Sequence, residues 1–245
     1  TAVVETGSAR DLLLTCDTGI GDADLVALAV EAGITVIVTD HHDLPEALPP
    51  AQAILNPKYL PEDHPLRALA GVGVAYMLAR ALLAAPEHEP TLSAMLDLVA
   101  LGLIADVAAQ VDEVRYLIQR GLAVMQQGQR PGMVAMAQVA GFDLAHADEE
   151  TVGYQIGPRL NAAGRLADSA HVVRMLLTRD AAEALRLAQD LEALNRDRRA
   201  RTDALLQQTE HRLANAPELM RSSAIILDGE DWEPAVLGLV AGSLA

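Results

Sequence analysis

The sequence is poor in cysteine, aromatic residues and positive charge. Its one cysteine, Cys16, excludes an intramolecular disulfide, fits a reducing compartment, and is expected to be a small buried side chain. Aromatic residues make up 2% of the 245 residues, so aliphatic side chains must build the core. Lys and Arg number 18 against 34 acidic residues, and the resulting net charge of −16 argues against an extended basic surface for nucleic acid.

Long apolar segments and a secretory signal are also missing. No apolar run is long enough to span a bilayer, so we expect a cytoplasmic protein with no membrane partner. The chain starts at Thr1 and ends within "VLGLVAGSLA", which suggests a fragment of a longer protein. Hydrophobic residues nevertheless make up 51% of the sequence, which suits helices packed on a parallel sheet.

Two apolar runs flank an amphipathic segment near the start of the chain. "LLLTC" (12–16) and "ITVIVTD" (34–40) predict strands, and "ADLVALAVEAG" (23–33) predicts a helix between them. A strand–helix–strand unit of about thirty residues makes its two strands parallel. We therefore predict an α/β fold in which helices flank a parallel sheet.

Helical periodicity dominates after residue 71. The segment from about Asp180 to Asn215 contains no Gly or Pro, and such a helix is longer than one domain usually needs, so we predict that it connects two domains. "SSAIILDGEDW" (222–232) predicts the first strand of a second α/β domain. The predicted division is residues 1–179, 180–216 and 217–245.

Acids and histidines follow the two predicted strands. Asp17 ends the first strand, and Asp40, His41 and His42 end the second, so we expect them at one carboxyl edge, where parallel sheets bind ligands. Asp106 follows a further apolar run. Carboxylates with histidine suit Mn²⁺ or Mg²⁺ better than structural Zn²⁺. Spacing alone leaves open that Asp17 and Asp106 are ordinary turn or capping residues.

Several segments resemble motifs of the DHH phosphoesterase superfamily. They are "TCDTGI" (15–20), "VTDHH" (38–42) and "LIADVA" (103–108), in that order along the chain. The segment "GYQIGPRLNAAGRLADSAHVVRMLL" (153–177) is similar to one found in the single-strand-specific 5′→3′ exonucleases of this superfamily. The long helix and "DWEPAVLGLVAGSLA" (231–245) resemble the connection to a DHH-associated domain and its beginning.

The resemblance implies roles for individual residues. Asp17, Asp40, His41 and Asp106 would be ligands of Mn²⁺ or Mg²⁺, two ions in the complete protein. Asp40, His41 and His42 would form the catalytic motif, with His42 near the metals or the scissile phosphate. The family's first motif, an upstream aspartate pair, has no counterpart before Asp17. We therefore expect this polypeptide alone to lack part of the ligand set, which puts its own activity in doubt.

The resemblance also implies contacts with DNA. They are assigned to three residues of the 153–177 segment, Arg159, Asn161 and Arg165. Guanidinium groups bind phosphate oxygens in a bidentate manner, and an amide can donate to phosphate or sugar. A loop shaped by Gly157, Pro158 and Gly164 would bring them to the ligand. Salt-bridged arginines of an acidic protein remain the alternative interpretation.

The implied function is hydrolysis of single-stranded DNA from its 5′ end to mononucleotides, in DNA repair and recombination. The enzyme would be a monomer, with a helicase and a single-strand-binding protein as further partners. Two alternatives remain: a phosphodiesterase of short oligonucleotides or cyclic dinucleotides, and an inactive scaffold member of the family. The retained acids at positions 17, 40 and 106 speak against the scaffold.

Overall fold

The structure is a computed structural model that describes residues 11–166 and 168–244, without the side chains of Arg165 and Met220. The chain forms two compact units. The first unit runs to Gln129 and also includes Leu144–Gly153. The second unit consists of Arg130–Asp143 and of the chain from Tyr154 onward. The predicted domain division at residues 179 and 216 stays a prediction.

A parallel sheet forms the centre of the first unit, as the sequence predicts. Its elements are β1 (Leu12–Cys16), α1 (Ala23–Glu31), β2 (Thr35–Thr39) and β3 (Ala53–Leu55). The strand order is β1-β2-β3, and both pairs are parallel. Val36 and Val38 lie on the same face of β2, are fully buried, and pack with Val26 and Ala29 of α1. The third strand was not predicted from its short apolar run.

The expectation that Cys16 is buried is wrong. Successive side chains of a strand point to opposite faces, so Cys16 shares a face of β1 with Leu12 and Leu14. All three are exposed.

Four helices complete the first unit. They are α2 (Gly71–Leu82), α3 (Glu89–Ala94), α4 (Leu96–Ala105) and α5 (Asp112–Met125). Most of α4 is buried, which matches its apolar sequence. Its contact with α5 is close at Gly121, where an added Cβ would collide with the backbone oxygen of Leu96 and lie 2.5 Å from Ala100 Cβ. This close contact holds the first half of α4, and Asp106 follows at its other end.

The second unit is helical. It contains α6 (Pro131–Ala140), α7 (Gly157–Leu166), α8 (Ala170–Leu177), α9 (Ala181–Asn215) and α10 (Pro234–Leu244). The long predicted helix is α9, and the Asp180 side chain caps it by accepting from the backbone N–H groups of Ala182 and Glu183. Helices α6, α7, α8 and α10 all contact α9, whose buried residues recur at helical spacing.

The remaining elements are short turns. They comprise four 3₁₀ turns (Pro57–Tyr59, Pro86–His88, Leu144–His146 and Leu219–Arg221) and a π-helical turn (Thr151–Ile156). The strand predicted within residues 222–232 is wrong, since this segment has no regular structure and Ile226 is 86% exposed. A strand needs a partner for its backbone groups, and the described second unit offers none. No helix in residues 11–166 and 168–244 is long and apolar enough to cross a membrane.

Candidate metal centre

Two threonines join the carboxyl ends of β1 and β2. The Thr39 hydroxyl donates to the backbone oxygen of Thr15 at 2.7 Å, and the Thr15 hydroxyl donates to the backbone oxygen of Thr18 at 2.7 Å. The backbone N–H of Asp17 donates to the backbone oxygen of Thr39 at 2.9 Å. These bonds fix both loops, so the residues that follow the strands meet at one edge, as the parallel arrangement predicts.

Asp17 presents its carboxylate to His41. Its backbone lies in the left-handed region with φ 63°, which turns the chain sharply after β1. One carboxylate oxygen, Oδ1, lies 3.0 Å from Nε2 of His41, and the side chain is about half exposed. Partial burial raises the pKa of Asp17, and the carboxylates of Asp106 and Asp40 raise it further. The neighbouring His41 acts to lower this pKa. A nearby cation would relieve this crowding of negative charge.

Asp40 is almost completely buried, and protein groups engage both of its carboxylate oxygens. Oδ2 accepts from the backbone N–H of Ile20 at 2.9 Å. Oδ1 accepts from the backbone N–H of His41 at 2.7 Å, and it also lies 2.7 Å from Nδ1 of His42. Burial acts to raise the pKa of Asp40, but the hydrogen bonds from Ile20, His42 and His41 outweigh it and lower that pKa. Direct metal ligation by Asp40 stays a prediction, while its visible contacts orient His42.

His41 lies between two carboxylates. Its Nε2 is 3.0 Å from Asp17 Oδ1 and 3.7 Å from Asp106 Oδ2. Although this nitrogen is buried, it forms no hydrogen bond with any described residue, because the approach to Asp17 is close in distance but not aligned. An imidazole nitrogen without a bond, placed beside two carboxylates, matches what a divalent cation requires of its ligands.

His42 completes the cluster at its exposed side. Ligand atoms of Asp17, His41 and His42 lie within 4.8 Å of one another. The Asp40 carboxylate raises the pKa of His42, mainly through its hydrogen bond to Nδ1. Because Nδ1 is engaged, Nε2 is the ring nitrogen left for a ligand.

Asp106 reaches the cluster from a different element. It is the C-terminal cap of α4, and the turn that follows has Val107 in the left-handed region with φ 55°. The structure therefore brings together the four predicted metal ligands Asp17, Asp40, His41 and Asp106. The donor set is fit to hold Mn²⁺ or Mg²⁺, since it combines carboxylate oxygens with one imidazole nitrogen.

Asn56 supports the site and was missed from sequence. Its side-chain amide donates to the backbone oxygen of His42 at 3.0 Å, and its side-chain oxygen accepts from the backbone N–H of Lys58 at 2.8 Å. It is buried directly after β3. The sequence signal for Asn56 was its position between an apolar run and a proline. Asn56 directly follows its strand, as the acids of the site follow β1 and β2.

The residues predicted to contact DNA lie in the second unit. The expected loop around Gly157, Pro158 and Gly164 is wrong, because this segment forms α7. Pro158 removes one N–H donor from a helical segment that continues from the π-helical turn Thr151–Ile156 into α7.

Arg159 is buried and paired within the protein. Its Nε donates to Glu192 Oε2 at 2.6 Å, and its Nη1 donates to the backbone oxygen of Gln155 at 2.5 Å. The alternative interpretation as a salt-bridged arginine therefore has structural support for Arg159. Asn161 is exposed on α7, and the Arg165 side chain lies outside the described residues. Contact of these three residues with DNA stays a prediction.

A protein-family model matches the first part of the chain. Residues 2–103 match the model of the DHH family, N-terminal domain, a range that includes Asp17, Asp40, His41 and His42. This part of the chain is similar to DHH-family N-terminal domains.

Curated proteins similar to this chain include single-stranded-DNA-specific exonucleases named RecJ. The chain is 37% identical over 237 residues to RecJ of Bacillus subtilis, covering 95% of this chain and 29% of that protein. It is 39% identical over 248 residues to RecJ of Dickeya dadantii, covering 96% of this chain and 43% of that protein. The chain thus spans less than half the length of these relatives.

Solved RecJ structures have the same fold as this chain. RecJ of Thermus thermophilus in complex with Mn²⁺ aligns with a TM-score of 0.84 and 33% identity, covering 99% of this chain and 35% of that one. An exonuclease RecJ bound to manganese aligns with a TM-score of 0.81 and 33% identity, covering 96% of this chain and 58% of that one. The α/β prediction, with a parallel sheet flanked by helices, is confirmed.

Proposed function

We propose that this chain carries the metal centre of a 5′→3′ exonuclease that hydrolyses single-stranded DNA to mononucleotides, acting in DNA repair and recombination. The observation that carries the proposal is the position of His41 Nε2 between the carboxylates of Asp17 and Asp106. Similarity to RecJ over 95% of the chain supplies the substrate class.

Asp17, His41 and Asp106 would hold Mn²⁺ or Mg²⁺. When bound, such a cation neutralises phosphate charge and makes water a better nucleophile at neutral pH. The protein's contribution is to hold three ligands from three elements at one sheet edge. Asp40, His42 and Asn56 form the supporting hydrogen bonds, which keep the ligand loop in place.

His42 is suited to contact the substrate phosphate. Its side chain is 60% exposed, and Nδ1 is held by Asp40, so in the imidazolium form Nε2 can donate to a phosphate oxygen. The bond to Asp40 would limit ring rotation and keep this donor aimed during the reaction. We propose His42 as a catalytic residue on this basis.

The charge of the protein predicts how the substrate binds. With a net charge of −16, binding through a broad basic face is unfavourable, so we propose that DNA binding is local and depends on the bound cations. EDTA should then weaken binding of single-stranded DNA, and tight binding in EDTA would contradict this point. We also propose that the protein is a cytoplasmic monomer that works with a helicase and a single-strand-binding protein.

The test measures Mn²⁺-dependent release of mononucleotides from 5′-phosphorylated single-stranded DNA by the natural-length protein. We expect release from the 5′ end, and we expect Asp40→Ala to abolish it. A duplex of the same sequence is the matched control substrate. Faster cleavage of di- and trinucleotides than of long strands would favour the short-oligonucleotide phosphodiesterase. Absence of hydrolysis by the folded protein would favour the scaffold.

A further inference from the structure

We propose that Gly71 is a positioning residue for the metal centre, because its missing side chain leaves the space that Asp17 occupies. This inference rests on the proposed function of that centre. Gly71 is the buried first residue of α2, which contacts β1 and β2. A Cβ added to Gly71 would lie 2.5 Å from both Cβ and Cγ of Asp17, and its nearest neighbour would be Asp17 Oδ1.

Rotation of the Asp17 side chain cannot relieve such a collision. The backbone fixes the position of Asp17 Cβ, and that backbone is held by the bond from its N–H to the Thr39 oxygen at 2.9 Å. The bond from the Thr15 hydroxyl to the Thr18 oxygen holds the next residue of the loop. Either this loop or the start of α2 would have to move.

A movement of Asp17 changes the metal centre directly. The colliding atom Oδ1 is the one that lies 3.0 Å from His41 Nε2. Any side chain at position 71 should therefore separate two ligands that must approach one cation together. Residues that orient metal ligands typically change affinity by about 10- to 100-fold when they are replaced.

Gly73 provides a matched control on the same helix. A Cβ added there would lie 2.5 Å from Leu69 Cδ2, the end of a flexible apolar side chain, and it meets no predicted ligand. Gly73→Ala therefore reproduces the buried Gly-to-Ala change in α2 without touching Asp17. It separates general packing effects from an effect on the ligand.

The first experiment measures the Mn²⁺ affinity of the natural-length protein from free Mn²⁺ detected by electron paramagnetic resonance. We expect Gly71→Ala to weaken binding by about tenfold or more, with wild-type affinity in Gly73→Ala. Equal affinities of wild type and Gly71→Ala, or equal losses in both variants, would overturn the inference alone. If the unmodified natural-length protein bound no Mn²⁺, the metal centre itself would be refuted, and the inference with it.

The second experiment asks whether Asp17 is the group that Gly71 accommodates. In EDTA, Gly71→Ala should lower the urea midpoint of the wild type but not that of Asp17→Gly, where the obstructing side chain is gone. Glycine should be tolerated at position 17, because the backbone of Asp17 has φ 63°, a left-handed conformation that glycine adopts readily. If Gly71→Ala alone does not fold, folding of the double variant supports the inference. An equal loss in both backgrounds, or failure of both to fold, overturns it.

Discussion

The exposed imidazole of His42 is tied to the buried carboxylate of Asp40, with 2.7 Å between Nδ1 and Oδ1. Asp40→Asn should weaken this arrangement. The substitution replaces one acceptor oxygen by an amide nitrogen, which is itself a donor and would face a donor of the loop. We expect a loss of about 1–3 kcal/mol in the free energy of unfolding, since a buried donor loses its partner. Urea denaturation in EDTA measures the loss.

The control for Asp40→Asn lies three residues away. Asp43 has a 97% exposed side chain, 3.5 Å from Lys58 Nζ, so Asp43→Asn should unfold at the wild-type urea concentration. Stability of Asp40→Asn equal to that of Asp43→Asn would show that the buried carboxylate is not needed for the loop.

Asp106→Asn should separate metal binding from folding. In EDTA the variant should be at least as stable as the wild type, because Asp106 adds to the negative charge around Asp17. At a Mn²⁺ concentration of about 100 times Kd, the wild type should gain about 2.7 kcal/mol, and the variant should gain much less. Thermal unfolding with EDTA and with Mn²⁺ measures both effects.

The exposed Asp63 is the matched carboxylate away from the cluster, and Asp63→Asn should keep the full Mn²⁺ effect. A normal Mn²⁺ gain in Asp106→Asn would exclude Asp106 as a ligand.

Glu192→Gln should destabilise the second unit. The Arg159 side chain is 9% exposed and would remain buried with no carboxylate beside it. Removing one partner of a buried ion pair costs about 3–5 kcal/mol, and we expect the lower end because Gln155 still accepts from Arg159. Chemical denaturation followed by circular dichroism checks this value.

The exposed pair Arg186–Asp190, separated by 3.5 Å on the same helix, is the comparison. Asp190→Asn should change stability by only about 0.5 kcal/mol. Equal small effects of the two substitutions would mean that Arg159 does not depend on Glu192, and would support the prediction that Arg159 contacts DNA.

Two glycine-to-alanine substitutions should have opposite effects on stability. Gly121→Ala forces a methyl group against the Leu96 backbone oxygen and should cost about 1–3 kcal/mol. Gly238→Ala in α10 has open space and should gain about 0.5–1 kcal/mol from helix propensity. Differential scanning calorimetry of both variants measures the signs. A stabilising Gly121→Ala would show that α4 and α5 can separate at little cost.

The local features of the fold were predictable from the sequence. Apolar runs predicted β1 and β2, an amphipathic period predicted α1, and a run without Gly or Pro from about Asp180 predicted α9. The approach of Asp17 to Asp40 followed too, because parallel strands place their carboxyl ends at one edge. These features depend on residues that are neighbours in the chain or in the sheet.

The environment of individual side chains was not predictable in the same way. The sequence marked Arg159 for DNA, and only the structure shows Glu192, 33 positions away, bound to it. Residues 222–232 have the composition of a strand, yet they form none, because strand formation needs a partner from elsewhere in the chain.

The sequence by itself determined which chemical groups this protein has and which of them end strands. Only the tertiary structure decided that α4 carries Asp106 to within 3.7 Å of His41, that Asp40 is enclosed by donors, and that Gly71 leaves room for Asp17. Periodicity is set by local backbone geometry, whereas these contacts depend on how distant segments pack.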